Sequence, residues 1–235
     1  MKYFMVLLSL AFLFAIPFHG QNSQAHAAAD DHKSWETTIY ASGGPAIDYV
    51  VMLGSVQADG LRYNQRLRIY AAGFGIGKML TLSHGRGLLR GQTEYLMEFE
   101  PFWLGDFPAY TGTATFYQTG DPPSQGTIGT TAGNNHGVDV TPMLFRYRFT
   151  QNKHLTPYVQ LGGGLLWTAH DFPAYKSSHI NFTPQAGIGV HLRTREKQAI
   201  ELGVNVVHIS NADMGATDPG VQQSLIFRVG YTWWH

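Results

Sequence analysis

Three features of the sequence predict an all-β fold, an eight-stranded antiparallel transmembrane β-barrel: period-two alternation, long unbroken strand segments, and a leader of secretory type. The alternation is clearest across 180–193. Ile180, Phe182, Pro184, Ala186, Ile188, Val190 and Leu192 hold one parity, and Asn181, Thr183, Gln185, Gly187, Gly189, His191 and Arg193 the other. It recurs in Met143, Phe145, Tyr147 and Phe149 against Leu144, Arg146 and Arg148, and again in Leu225, Phe227, Val229, Tyr231 and Trp233 against Ser224, Ile226, Arg228, Gly230 and Thr232. Such runs exceed the roughly 5–6 residues of an average soluble strand and suit the roughly 9–11 of a tilted membrane strand.

Composition agrees. The 235 residues include 16 basic and 16 acidic side chains and no cysteine. That excludes a disulfide scaffold, a cysteine metal site, a thiol nucleophile and a strongly basic nucleic-acid binder. The charged fraction of 14% falls below the roughly 25% of soluble domains, while 27 glycines and 13% aromatics suit strands joined by many turns. Lys2, the apolar run 3–18 broken by Pro17, and Ala25-His26-Ala27-Ala28-Ala29 follow the order of a secretory signal. The run is also short of the ~20 residues of a spanning helix. Residues 1–29 are therefore read as a signal peptide cut after Ala27 or Ala29, and 30–235 as the barrel domain.

Taken in order, strands are expected at 36–45, 62–77, 92–103, 142–150, 157–168, 180–193, 198–210 and 223–234. The first two rest on the weakest alternation, since Ile69, Ala71 and Gly73 contrast poorly with Tyr70, Ala72 and Phe74. An even count leaves both termini on the periplasmic side. The links 46–61, 104–141 and 169–179 then become long outward loops, and 104–141, rich in Gly, Thr and Pro, is placed to cover a substrate. The links 151–156 and 194–197 are short periplasmic turns, whereas 78–91 is longer than such a turn should be. Glu94, Glu98 and Glu100 share the inward parity opposite Tyr95, Met97, Phe99, Pro101 and Trp103, and Arg146, Arg148, Arg193 and Arg228 have inward parity on their own strands. Mixed Glu and Arg in a narrow lumen can satisfy one another, so these charges are read as a structural plug. Tyr231, Trp233 and Trp234 read as a periplasmic aromatic girdle.

Chemistry concentrates at the end of the seventh strand. Ile200, Leu202, Val204 and Val206 form an oily row that continues into His208 and Ser210, while Glu201, Gly203 and Asn205 take the other face. The imidazole and hydroxyl therefore face lipid near the outer leaflet, where polar groups are costly unless they have a task. Both residues could equally lie in the interfacial zone that tolerates polar side chains, and the spacing alone leaves the two readings open. Other signals are weak. Gly73-Phe74-Gly75-Ile76-Gly77-Lys78 lacks phosphate-loop spacing, and His170, Asp171 and His179 read as exposed loop residues more readily than as metal ligands.

His208-Ile209-Ser210-Asn211-Ala212, then Asp218-Pro219-Gly220 and the final Val229-Gly230-Tyr231-Thr232-Trp233-Trp234, resemble the lipid A 3-O-deacylases of the bacterial outer membrane. Glu94-Tyr95-Leu96-Met97-Glu98-Phe99-Glu100-Pro101 and Asn181-Phe182-Thr183-Pro184-Gln185-Ala186-Gly187 are similar to their acyloxyacyl hydrolase-like branch. The resemblance implies a barrel that removes the 3-O-linked acyl chain of lipid A by serine hydrolysis, with lipid A and the outer membrane as partners and no metal or other cofactor. By that resemblance Ser210 is the nucleophile, His208 the general base and Asn211 a contributor to the oxyanion hole. The family pattern has Glu fourteen residues after the histidine, and here that position is Gln222.

An amide can hold an imidazole without supplying charge, and Asp213 and Asp218 are alternative acids. Two functions stay open: an outer-membrane serine esterase, or a catalytically inactive structural or ligand-binding barrel. A soluble carrier is a third, and would need the oily row turned inward.

Overall fold

The computed structural model describes residues 34–47, 51–54, 60–63, 65–150, 152, 154–173, 177–212, 214 and 222–235; the expected signal peptide lies outside them. Its strands are β1 (Trp35–Pro45), β2 (Val51–Gly54), β3 (Gly60–Tyr63), β4 (Arg68–Met79), β5 (Gly91–Phe107), β6 (Tyr110–Tyr117), β7 (Ser124–Thr130), β8 (Gly133–Phe149), β9 (Leu155–Phe172), β10 (Ser178–Phe182), β11 (Gln185–Arg195), β12 (Gln198–Ile209) and β13 (Gln222–Trp234). Neighbours run β9, β11, β12, β13, β1, β4, β5, β8, and β8 pairs back to β9, so eight antiparallel strands close a barrel. Short β10 continues the line of β11 beside β9, interrupted at Thr183 and Pro184.

The expected alternation sets the two faces. Phe145, Leu161, Trp167, Phe182, Leu202, Phe227 and Val229 are exposed on the outside, while Glu36, Glu94, Arg146, His191, Glu201 and Arg228 are buried within. That arrangement excludes the carrier with an inward oily row. The first and last strands meet at one end, where Trp35 and His235 exchange main-chain hydrogen bonds.

Expected and observed strands agree to within a few residues except around the far end. There the segments 46–61 and 104–141, expected as loops, contribute β2, β3, β6 and β7 to a four-stranded sheet in the order β2-β3-β6-β7, and β5 and β8 extend beyond their expected limits. The second strand begins at Arg68, not at residue 62. The long link after it contains the short 3-10 turn Gly87–Leu89 and a bridge between His84 and Gly91.

The lumen is layered. At the terminal end Arg146 donates from Nη1 to Glu36 Oε1 at 2.8 Å, from Nη2 to Glu201 Oε1 at 3.2 Å and from Nε to Gln160 Oε1 at 3.1 Å. Trp234 Nε1 donates to Glu36 Oε2 at 2.9 Å and Tyr158 Oη to Glu201 Oε1 at 2.7 Å. Trp234 is thus a luminal residue, not part of the expected girdle. Its even position gives it the inward parity of Thr232, whereas Tyr231 and Trp233 pack edge to face. Gly189 and Gly203 leave room for the Tyr158 ring, which a side chain at either position would overlap. Arg228 forms a middle layer, donating to Glu98 at 2.6 Å. Towards the far end the lumen turns apolar, with Leu67, Ile69, Ala71, Trp103, Leu166, Phe172, Ile209 and Ile226 in one buried cluster. Arg193 is only half-buried, with its guanidinium 5.6 Å from the Trp234 ring centre.

Candidate active site

The last residues of β12 keep the strand's alternation. Ile209 and Asn211 are buried, at 1% and 3% exposure, while His208 and Ser210 are half-buried on the other parity, shared with exposed Ile200 and Leu202. Two residues apart on one face, their Cα atoms are separated by about 6.6 Å along an extended strand.

Main-chain bonds fix this edge. His208 N–H donates to Pro184 O at 2.9 Å, and Ser210 exchanges bonds of 2.7 and 3.1 Å with Phe182. On the other side His208 is the register partner of Gln223, and Ile209 that of Gln222.

The chain turns immediately afterwards. Ala212 has φ of +49°, in the left-handed region that non-glycine residues enter at a cost, and its N–H donates to Ser210 Oγ at 3.2 Å. Asn211 Nδ2 donates to Ser177 Oγ at 3.0 Å, and that hydroxyl donates to Phe172 O at 2.9 Å. The Asn211 side chain therefore ties the end of β12 to the link between β9 and β10. Asp213 and Asp218 lie outside the described residues, and Gln222 is described by its main chain alone.

Other candidates resolve differently. His170 and Asp171 stand on β9 and His179 on β10, not in a loop. His179 Nε2 lies 3.5 Å from Asp171 Oδ1 and its Nδ1 2.8 Å from Thr168 O.

Glu36, His191 and Glu201 offer ligand atoms within 4.8 Å of one another. Arg146 already bridges the two carboxylates, so a metal there would have to displace it; the cluster is an ion-pair centre. Glu36, Tyr158 and His191 were not singled out in the sequence, although each has the parity of a luminal residue.

A family model described as "Lipid A 3-O-deacylase (PagL)" matches residues 89–232. The chain belongs to the lipid A 3-O-deacylase (PagL) family. The PagL match takes in His208, Ser210, Asn211 and Gln222. Among solved structures, the chain is similar to the crystal structure of the outer membrane enzyme PagL, with 14% identity and a TM-score of 0.45 over 83% of this chain and 98% of that one. It is similar to the outer membrane protein OprG from Pseudomonas aeruginosa, with 10% identity and a TM-score of 0.45 over 88% and 98%. It also resembles the outer membrane protein AlkL, with 11% identity and a TM-score of 0.39 over 92% and 96%. No curated protein sequence matches the chain. Membership of the PagL family and the closed barrel place the protein in the bacterial outer membrane.

Proposed function

We propose that the protein is a serine esterase that hydrolyses the 3-O-linked acyl chain of lipid A at the outer leaflet. The observation that carries this reading is the shared outward parity of His208 and Ser210 at the outer end of β12, where an ester of a neighbouring lipid can reach them from the side. His208 takes the Ser210 proton as Oγ attacks the ester carbonyl carbon, then returns it to the departing 3-oxygen of the sugar. Water, activated in the same way, cleaves the acyl-enzyme and releases the fatty acid. The developing oxyanion needs fixed N–H donors. Asn211 is assigned to supply one from its main chain, its side-chain amide being committed to Ser177.

Gln222 stands in the place of the orienting acid. An amide in that place can hold an imidazole without a charge, although the register pairs Gln222 with Ile209, on the other parity from His208. Gln223, directly across from His208 in the β12–β13 register, is the second amide available for that role.

The glutamine at 222 is also what favours the second reading, a catalytically inactive structural or ligand-binding barrel. Mass spectrometry of lipid A from cells expressing the parent and Ser210→Ala decides between them. Loss of one 3-hydroxyacyl chain with the parent alone is expected, and identical lipid profiles would overturn the esterase.

A further inference from the structure

Among the described residues six carboxylates line the lumen, and four have a cationic partner. Glu36, Glu94 and Glu201 lie within 4.0 Å of Arg146, and Glu98 pairs with Arg228. Among the described residues no lysine or arginine makes an ion pair with Glu100 or Asp139. These two are register partners on β5 and β8, so the pleat sets both on the luminal face, side by side. Like charges directly opposite on neighbouring strands repel, and buried carboxylates without compensation are costly.

Both residues border a cavity of about 50 Å³, between the Arg228 layer and the apolar cluster, which Tyr40, Glu98 and Thr141 also line. That is room for an ion with one or two waters, at roughly 10–15 Å³ for a water. Tyr40, only 6% exposed, brings its hydroxyl to this cavity beside Glu100, and the hydroxyl has no hydrogen-bond partner of normal geometry. Asp139 is oriented towards the same space by Thr141 and Thr183, whose hydroxyls donate to Oδ1 at 3.1 Å and Oδ2 at 2.9 Å. Arg228 also borders the cavity, with Nη1 and Nε 2.6 and 3.2 Å from Glu98 and Glu201 and Nη2 without a hydrogen-bond partner.

The carboxylate and hydroxyl oxygens that Glu100, Asp139 and Tyr40 bring to the cavity are the donor set of a hard cation. Two carboxylates match the charge of one divalent ion. Their irregular placement suits calcium, which accepts flexible geometry, better than magnesium, which demands an octahedron.

We propose that Glu100 and Asp139, with the Tyr40 hydroxyl, form a calcium-class cation site inside the barrel. The site is independent of the esterase reading, since it lies in the lumen and His208 and Ser210 face outward.

Chelator-stripped protein in detergent micelles tests it with Tb³⁺ and Ca²⁺ as probes. Excitation of the nearby aromatic residues gives sensitised Tb³⁺ emission that Ca²⁺ competes away, and Ca²⁺ raises Tm by several degrees. The double variant Glu100→Gln/Asp139→Asn loses both responses. Relieved of the repulsion, it unfolds in chelator at or above the Tm of the stripped parent, which shows that it is folded. Tyr40→Phe, which keeps both carboxylates and the ring, weakens Tb³⁺ binding several-fold. A parent with neither response, responses that survive the double substitution, or Tb³⁺ affinity untouched in Tyr40→Phe would each overturn the site.

Discussion

Ile209 separates the two polar residues of the candidate site and, buried in the luminal apolar cluster, holds them in register. With Ile209 anchored inward, His208 and Ser210 can only face outward, because consecutive strand residues point to opposite faces. This was legible from the oily row that precedes them. The orienting residue was not, because the resemblance to the family names Gln222 while the register brings Gln223 across from the histidine. A one-residue difference changes face.

Substitution separates the two. Gln222→Glu, which restores the family's acid, is expected to raise deacylation at least about tenfold, given that an amide for the acid cost ~10⁴ in a serine protease. A rise in Gln223→Glu instead transfers the role to that residue. The rate should also fall as pH drops through the titration of the imidazole, because a protonated ring cannot accept the serine proton. A flat acid limb in a detergent-micelle assay removes His208 as base.

At the scale of elements, strands with one oily face announced themselves and those without did not. In β6, Thr111, Gly112, Thr113, Ala114 and Thr115, and in β7, Ser124, Gln125, Gly126 and Thr127, carry no apolar–polar contrast, so their composition imitates a loop while their main chains pair in a sheet. Glu36 escaped notice because β1 alternates weakly, yet the strand order brings it to Arg146 of β8 and Trp234 of β13. Arg146→Ala would leave Glu36 and Glu201 buried without their shared cation. It is expected to destabilise the barrel by about 3–5 kcal/mol, read from urea unfolding in micelles; a loss under about 1 kcal/mol would mean that the network contributes little.

For the whole molecule, the closed order of strands and the inward charges were both present in the sequence pattern, but the apolar upper layer was not. Leu67, Trp103, Leu166 and Phe172 come from distant segments, and only closure of the barrel assembles them. Among the described residues, ion pairs fill one end of the lumen and this cluster the other, with the small cavity between them. In planar bilayers the inserted protein is expected to pass no steady current, and persistent single-channel steps would contradict the packing described.

The outward parity of Ser210 has a pharmacological consequence. With ion pairs and the apolar cluster filling the described lumen beneath it, the hydroxyl is approached from the outer surface of the barrel. A blocker would arrive sideways after dissolving in the leaflet, so potency across a compound series should follow oil–water partitioning as well as fit.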